Sequence, residues 1–101
     1  MKSGIEQIAD ERERQIQQEG WTAEHDDHYN SDELVAAAIA YCTHVVAPML
    51  PKRIPSLWPW DPKWWKPKDR RTNLVRAGAL IAAELDRIDR ECVQAFGDKA
   101  R

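Results

Sequence analysis

Leu74, Gly78, Ile81, Leu85, Ile88, Cys92 and Ala95 recur at intervals of 4, 3, 4, 3, 4 and 3 residues. That spacing holds one stripe of a helix to the same side along its whole length, the pattern of a helix packed against another helix. Asp69 stands just before it as an N-cap, where a side-chain oxygen can accept a free backbone N–H. Gly97 follows as the terminator. Gly78 inside the stripe costs about 1 kcal/mol of helix propensity relative to alanine, so its place there predicts a tight helix crossing.

Two further helices are expected. The first covers Ser3 to Glu19: Ile5, Ile8 and Ile16 share a face with Ala9 and Arg12 beside them, and "DERERQIQQE" mixes strong helix formers with both charge signs on the exposed side. Gly20 supplies the left-handed residue that closes a helix. The second starts at Asn30 or Ser31, where Asn30 and Glu33 have the spacing of a capping box, and ends at Pro48. Its body, "DELVAAAIAYCTHVVA", is apolar over a wide surface and built of small side chains, which let neighbouring helices approach closely. All six prolines lie between Pro48 and Pro67. That connection is therefore irregular, with one helical turn expected over Asp61 to Trp65 because Pro62 suits a first turn. The expected architecture is all-α: a single domain over 1–101, with three main helices and a long Pro/Trp-rich connection packed as a small helical bundle. The wide apolar face of the second helix asks for cover on more than one side, which a homodimer would supply.

The formal net charge is −2, so no global field draws in nucleic acid or an anionic membrane. No DNA-binding motif is visible either, and nucleic acid is the weakest of the partners considered. No apolar run reaches the roughly 18 residues of a membrane span, and the opening "MKSGIEQIADERERQ" lacks the apolar stretch of a secretory signal. A cytoplasmic location is expected. Cys42 and Cys92 have no metal or redox spacing and are expected to be buried, reduced thiols.

Three constellations could carry chemistry. "EHDDHYNSDE", residues 24–33, gathers five carboxylates and two histidines. These are ligand types that suit divalent cations, but acidic residues before a helix also simply meet its positive end. Between Asp61 and Arg76 six basic residues outnumber two acidic ones. Arg70 and Arg71 stand at a helix start, where cations oppose the dipole and a phosphate would relieve them. The same basic residues could instead pair with the acidic segment. Finally, "WPWDPKWWKPKDRR", residues 58–71, holds four of the five tryptophans. They form either a lid over a core of small side chains or a surface that stacks on a ligand or grips a partner. Glu84, at the margin of the seam, is either an edge residue or an inward-facing ligand.

The blocks "ERERQIQQEGWTAEHDD", "DELVAAAIAY" and "WPWDPKWWKPKDRRTNLVRAGALIAAELDRID" together resemble a small protein family encoded by bacteriophages and prophages. The resemblance covers nearly the whole chain and implies an origin, with residence in the cytoplasm of a bacterial host. A more distant similarity is to the MazG-like all-α nucleoside triphosphate pyrophosphohydrolases. That similarity implies a helical oligomer that holds magnesium with acidic residues and cuts between the α and β phosphates. Glu33 matches a residue of their first acidic motif. Where the second would stand, this chain reads "LVRAGAL", without a carboxylate.

Two functions follow as expectations. In the first, the chain binds a nucleotide or acts as a metal-dependent nucleotide pyrophosphohydrolase. Asp26, Asp27 and Glu33 would be catalytic. His25, Asp26, Asp27, Glu33 and Glu84 would hold Mg or Mn, Lys66, Arg70 and Arg71 would neutralise phosphates, and Trp58, Trp60 and Trp64 would stack on a base. In the second, it is an accessory protein without enzymatic activity that inhibits a host or defence protein through its Trp/Arg-rich loop.

Overall fold

The computed structural model describes residues 1–28, 32–48 and 56–96. Among them are four α-helices, α1 (Gly4–Gln18), α2 (Ala23–Asp26), α3 (Glu33–Val46) and α4 (Arg70–Phe96), with a 3-10 turn at Pro62–Trp64. The architecture is all-α. α4 is the spine: α1 and α3 both pack along it, and α2 touches it.

Local chemistry sets the ends of these elements. Ser3 Oγ accepts from the Glu6 N–H at 3.2 Å, and Glu6 Oε1 accepts from the Ser3 N–H at 3.0 Å, a reciprocal capping box. Gly20 takes φ +74°, the left-handed conformation expected of it. Thr22 Oγ1 then accepts from the His25 N–H and starts α2, a single turn too short to show any periodicity in the sequence. Asp69 caps α4 as expected, accepting from the Thr72 N–H and hydroxyl. Asp61 Oδ1 accepts from the Lys63 N–H at 2.9 Å and opens the 3-10 turn. α3 begins after Asp32, which lies in the left-handed region and makes no side-chain cap bond. Asn30 and Gly97, expected as a cap and a terminator, lie outside the described residues.

The core joins Leu34, Ala37, Ala38, Ala40 and Tyr41 of α3 to Ala77, Leu80 and Ala83 of α4. Alanine facing alanine brings the two helices together, as the small side chains of α3 predict, but it leaves little bulk to exclude water. Trp58 supplies that bulk from the connection, buried against the cluster, with Trp21, Trp60 and Trp65 packed around it. The loop is fastened to α4 through its backbone. Buried Asn73 accepts from the Lys68 N–H and donates to the Lys68 carbonyl, both at 2.8 Å, and Arg76 donates to the Lys66 carbonyl at 2.7 Å.

The seam read on α4 does not face the core. The helix turns Asn73, Ala77, Leu80, Ala83 and Glu84 inward. Leu74, Ile81, Leu85 and Ile88 are left 44%, 47%, 57% and 41% exposed, and Cys92 is exposed as well. Both sets have helical spacing and are offset by one residue, about 100° around the axis. Alanines and an asparagine signal burial weakly beside leucine and isoleucine, so the sequence favours the wrong stripe. Gly78 does mark a tight crossing: a Cβ there would lie 2.6 Å from Ile8 Cδ1 of α1. On α1 the fully buried side chain is Gln15, while Ile5 stands exposed. Cys42 is half-buried, so neither thiol is hidden as expected.

Candidate functional site

The acidic segment is organised by arginines. α2 turns Asp26 inward until it is 0% exposed. Its Oδ2 accepts from Arg12 Nη2 at 2.6 Å, and its Oδ1 lies 3.1 Å from His25 Nδ1. Asp27 accepts twice from the Arg90 guanidinium, at 2.7 and 3.1 Å, and Arg90 also donates to the Ala23 carbonyl. Glu84 does face inward, and both of its oxygens are held by Arg87, at 2.5 and 3.2 Å. Arg87 also meets Glu91, and its proton is held more tightly than in water by these carboxylates. Arg87 and Arg90 are thus drawn to Glu84, Glu91 and Asp27. Among the described residues no group of three His, Cys, Asp or Glu side chains could hold a metal ion. The carboxylates of Asp26, Asp27 and Glu84 are engaged as acceptors, and Glu33 stands at the first turn of α3. This donor set does not fit a divalent cation.

The basic residues scatter. Arg70 Nη1 donates to the Val45 carbonyl at 3.4 Å and Arg71 Nη1 to Gln7 Oε1 at 3.2 Å, one toward the end of α3 and the other toward α1. Lys66 lies elsewhere, its ammonium 5.8 Å from the Trp64 ring centroid, with Lys63 at 5.4 Å on the same ring. The three residues expected to share a phosphate do not line one pocket. The acidic segment is paired by Arg12 and Arg90, neither of which belongs to the basic run.

The tryptophans do converge. Trp21, from the α1–α2 connection, lies parallel to His25 at 6.1 Å and tilted against Trp60 at 5.6 Å. Trp60 meets Trp58 edge-on at 5.2 Å, and Trp58 meets Trp65 and Tyr41. The three tryptophans expected to stack therefore divide. Trp58 is core, its indole N–H given to the Asp61 carbonyl at 3.2 Å. Trp60 and Trp64 are walls. With Trp21, His25, Gln18, Glu19 and Asp61 they bound an open cleft of about 560 Å³. That volume lies within the range of small-molecule pockets, and an aromatic lining with a few polar groups is their usual character. Trp64 is 53% exposed, its face free for contact beyond the two lysines.

A smaller chamber of about 90 Å³ adjoins the cleft and shares Glu19, Trp21 and Trp64 with it. It reaches Gln15, Tyr41 and Arg76. Gln15 is 2% exposed. Its Nε2 donates to Glu11 Oε2 at 3.1 Å, and Glu11 is itself gripped by Arg14 at 2.7 and 2.8 Å. That carboxylate fixes the amide's orientation, because the flipped amide would set oxygen against oxygen. Gln15 Oε1 is left buried with no protein partner, and so is Arg76 Nε. Burial pushes the Tyr41 phenol up, so it stays protonated. Besides the charged Glu11, Glu19, Arg14 and Lys66 in its lining, the chamber thus holds one fixed unpartnered acceptor and one unpartnered donor among its residues. Orphaned buried polar atoms are rare in native proteins, where water or a ligand normally meets them.

Sequence reasoning missed Gln15, Gln18, Glu19 and Arg76 as site residues. Gln15 could have been flagged only by the absence of a large apolar residue where α1 turns inward. No family model matches the chain, and neither curated proteins nor solved structures give a match.

Proposed function

We propose that the chain binds a nucleotide. The base lies against Trp60 and Trp64 in the cleft, with its polar edge toward Gln15 Oε1 and Arg76 Nε. The phosphates take the Lys63 and Lys66 ammonium groups at the rim. One observation carries this reading: Trp21, Trp60 and Trp64, drawn from two distant segments, wall a cleft that leads to a buried, unpartnered amide oxygen. A flat π-faced ligand with hydrogen-bonding groups on its edge and negative charge at its end satisfies all three features. The resemblance of the "WPWDPKWWKPKDRR" block to phage and prophage proteins supports a setting in the cytoplasm of a bacterial host. No hydrolytic step is assigned, because arginines already engage Asp26, Asp27 and Glu84.

Tryptophan fluorescence titrated with a panel of nucleotides tests the reading. Base stacking on an aromatic side chain contributes about 1–3 kcal/mol, so Trp64→Ala should weaken binding by roughly 5- to 150-fold while helical content stays unchanged. Equal affinity of the variant and the parent would refute the stacking assignment.

A second reading rests on the exposure of Trp64 between Lys63 and Lys66, the composition of an interface hot spot. A host protein would grip that side chain. It would give a flat nucleotide panel and a purified complex lost on Trp64→Ala.

A further inference from the structure

The stripe left bare on α4 has a definite form. Leu74, Ile81, Leu85 and Ile88 run along one line of the helix for about 21 Å, each close to half exposed. Ground on both sides of it is apolar too. Toward α1, Gly4, Ile8, Leu74 and Val75 line a groove of about 500 Å³ that ends at Arg70 and Arg71. Toward α3, Ile81 joins Val35, Ile39, Cys42 and Val46 around a groove of about 380 Å³. Three helices therefore present one apolar face, and a face of this kind on a soluble chain marks an interaction site.

Its pattern identifies the occupant. Alternating steps of three and four suit another helix laid lengthwise, with knobs entering holes. The ends of the stripe carry opposite charge. Arg70 and Arg71 begin it, and Asp86 and Asp89 stand near its finish, where Arg87 and Arg90 are already bonded to Glu84, Glu91 and Asp27. A parallel partner with the same sequence would set like charge on like. An antiparallel one sets arginine on carboxylate at both ends, which is the self-complementarity of a two-fold interface. A lipid surface would instead favour basic flanks throughout.

We propose that this face binds a second copy of the chain. The two α4 helices lie antiparallel across a two-fold axis at Ile81. Leu74 of each copy then meets Ile88 of the other, and Arg71 of each lies on the same flank as Asp89 of the other. The α3 residues Ile39 and Val46 extend the contact and complete a helical bundle. The interface shares no lining residue with the tryptophan-walled cleft, so it stands or falls separately from the ligand.

Light scattering on the full chain during size-exclusion chromatography gives the first answer. The expected mass at micromolar concentration is twice 11.7 kDa, and a monomer at that concentration overturns the proposal. Ile81→Asp should give the monomer with its helical circular dichroism intact, and a variant that stays dimeric overturns the assigned face. A charge exchange tests the direction. Arg71→Glu and Asp89→Arg should each weaken the dimer, and the double variant should restore it. Two additive losses with no restoration overturn the antiparallel register, whatever either residue contributes to the monomer.

Discussion

Asp26 and Arg12 form the most consequential pair of side chains in the molecule. The carboxylate is fully buried and the guanidinium nearly so. In water each would be solvated. Here each is tolerated only because the other is present, and Arg12 adds a bond to the Trp21 carbonyl at 3.1 Å. Removing one partner of a buried pair strands a charge, which costs about 3–5 kcal/mol. A domain of this size has on the order of 5–15 kcal/mol of stability in all. Arg12→Met should therefore remove most of the cooperative urea transition, shifting its midpoint far down. A midpoint within error of the parent would show that Asp26 is not structural. Such a residue misleads sequence reading in a specific way. A histidine–aspartate run looks like a ligand set, and nothing in the linear sequence announces that Arg12, fourteen positions away, is the group it serves. The same holds for Asp27 and Arg90, which meet across most of the chain.

At the scale of elements, the helices were legible because caps and periodicity are local. Ser3, Gly20, Asp61 and Asp69 each act within four residues of themselves; Gly20 and Asp69 take their expected roles, while Ser3 and Asp61, read as helical residues, turn out to be the caps just outside. Rotation about the helix axis was not legible. Which stripe of α4 turns inward depends on Asn73 bonding the Lys68 backbone and on where the tryptophans land, both of which are tertiary facts. The tryptophan-rich connection was half legible: the sequence offers lid and ligand surface as rivals, and the structure buries Trp58 in the core while Trp60 and Trp64 wall an open cleft. Trp58 roofs the core. Its replacement by alanine should cost about 3–5 kcal/mol, whereas Trp64→Ala, at an exposed ring, should leave the thermal midpoint almost unmoved. Comparable losses for the two would dissolve that division.

The caps also set a pH dependence. The Glu6 carboxyl is held below its ordinary range by bonds from the Ser3 N–H and hydroxyl, and the Asp69 carboxyl by the Thr72 hydroxyl and N–H. A carboxyl whose pKa falls on folding contributes stability that is complete above its unfolded value and is lost as pH falls through the folded one. The N-terminal turns of α1 and α4 should therefore be intact at neutral pH and fray only below about pH 4. Circular dichroism through an acid titration checks this. Glu6→Gln with Asp69→Asn should flatten that limb of the curve, and an unchanged acid limb would assign it to other carboxylates.

As a whole, the molecule is a thin array of helices with α4 at its centre, 23 Å through its shortest axis. That is about two helix layers. One side of the spine is closed by aromatic side chains from the connection, while the stripe of α4 proposed to bind a second copy lies half exposed. The cleft lies at the margin of the aromatic roof, walled by Trp21, Trp60 and Trp64, and Trp60 meets the core Trp58 edge-on there. The proposed site rests on this division of the five tryptophans between cleft wall and core. The indole N–H resonances of the five, followed by NMR as a nucleotide is added, test it directly. Trp21, Trp60 and Trp64 should shift together along one saturating curve, Trp58 by less through its contact with Trp60, and Trp65, which lines neither cavity, should hold still. Shifts spread over all five, or none at millimolar nucleotide, would contradict it.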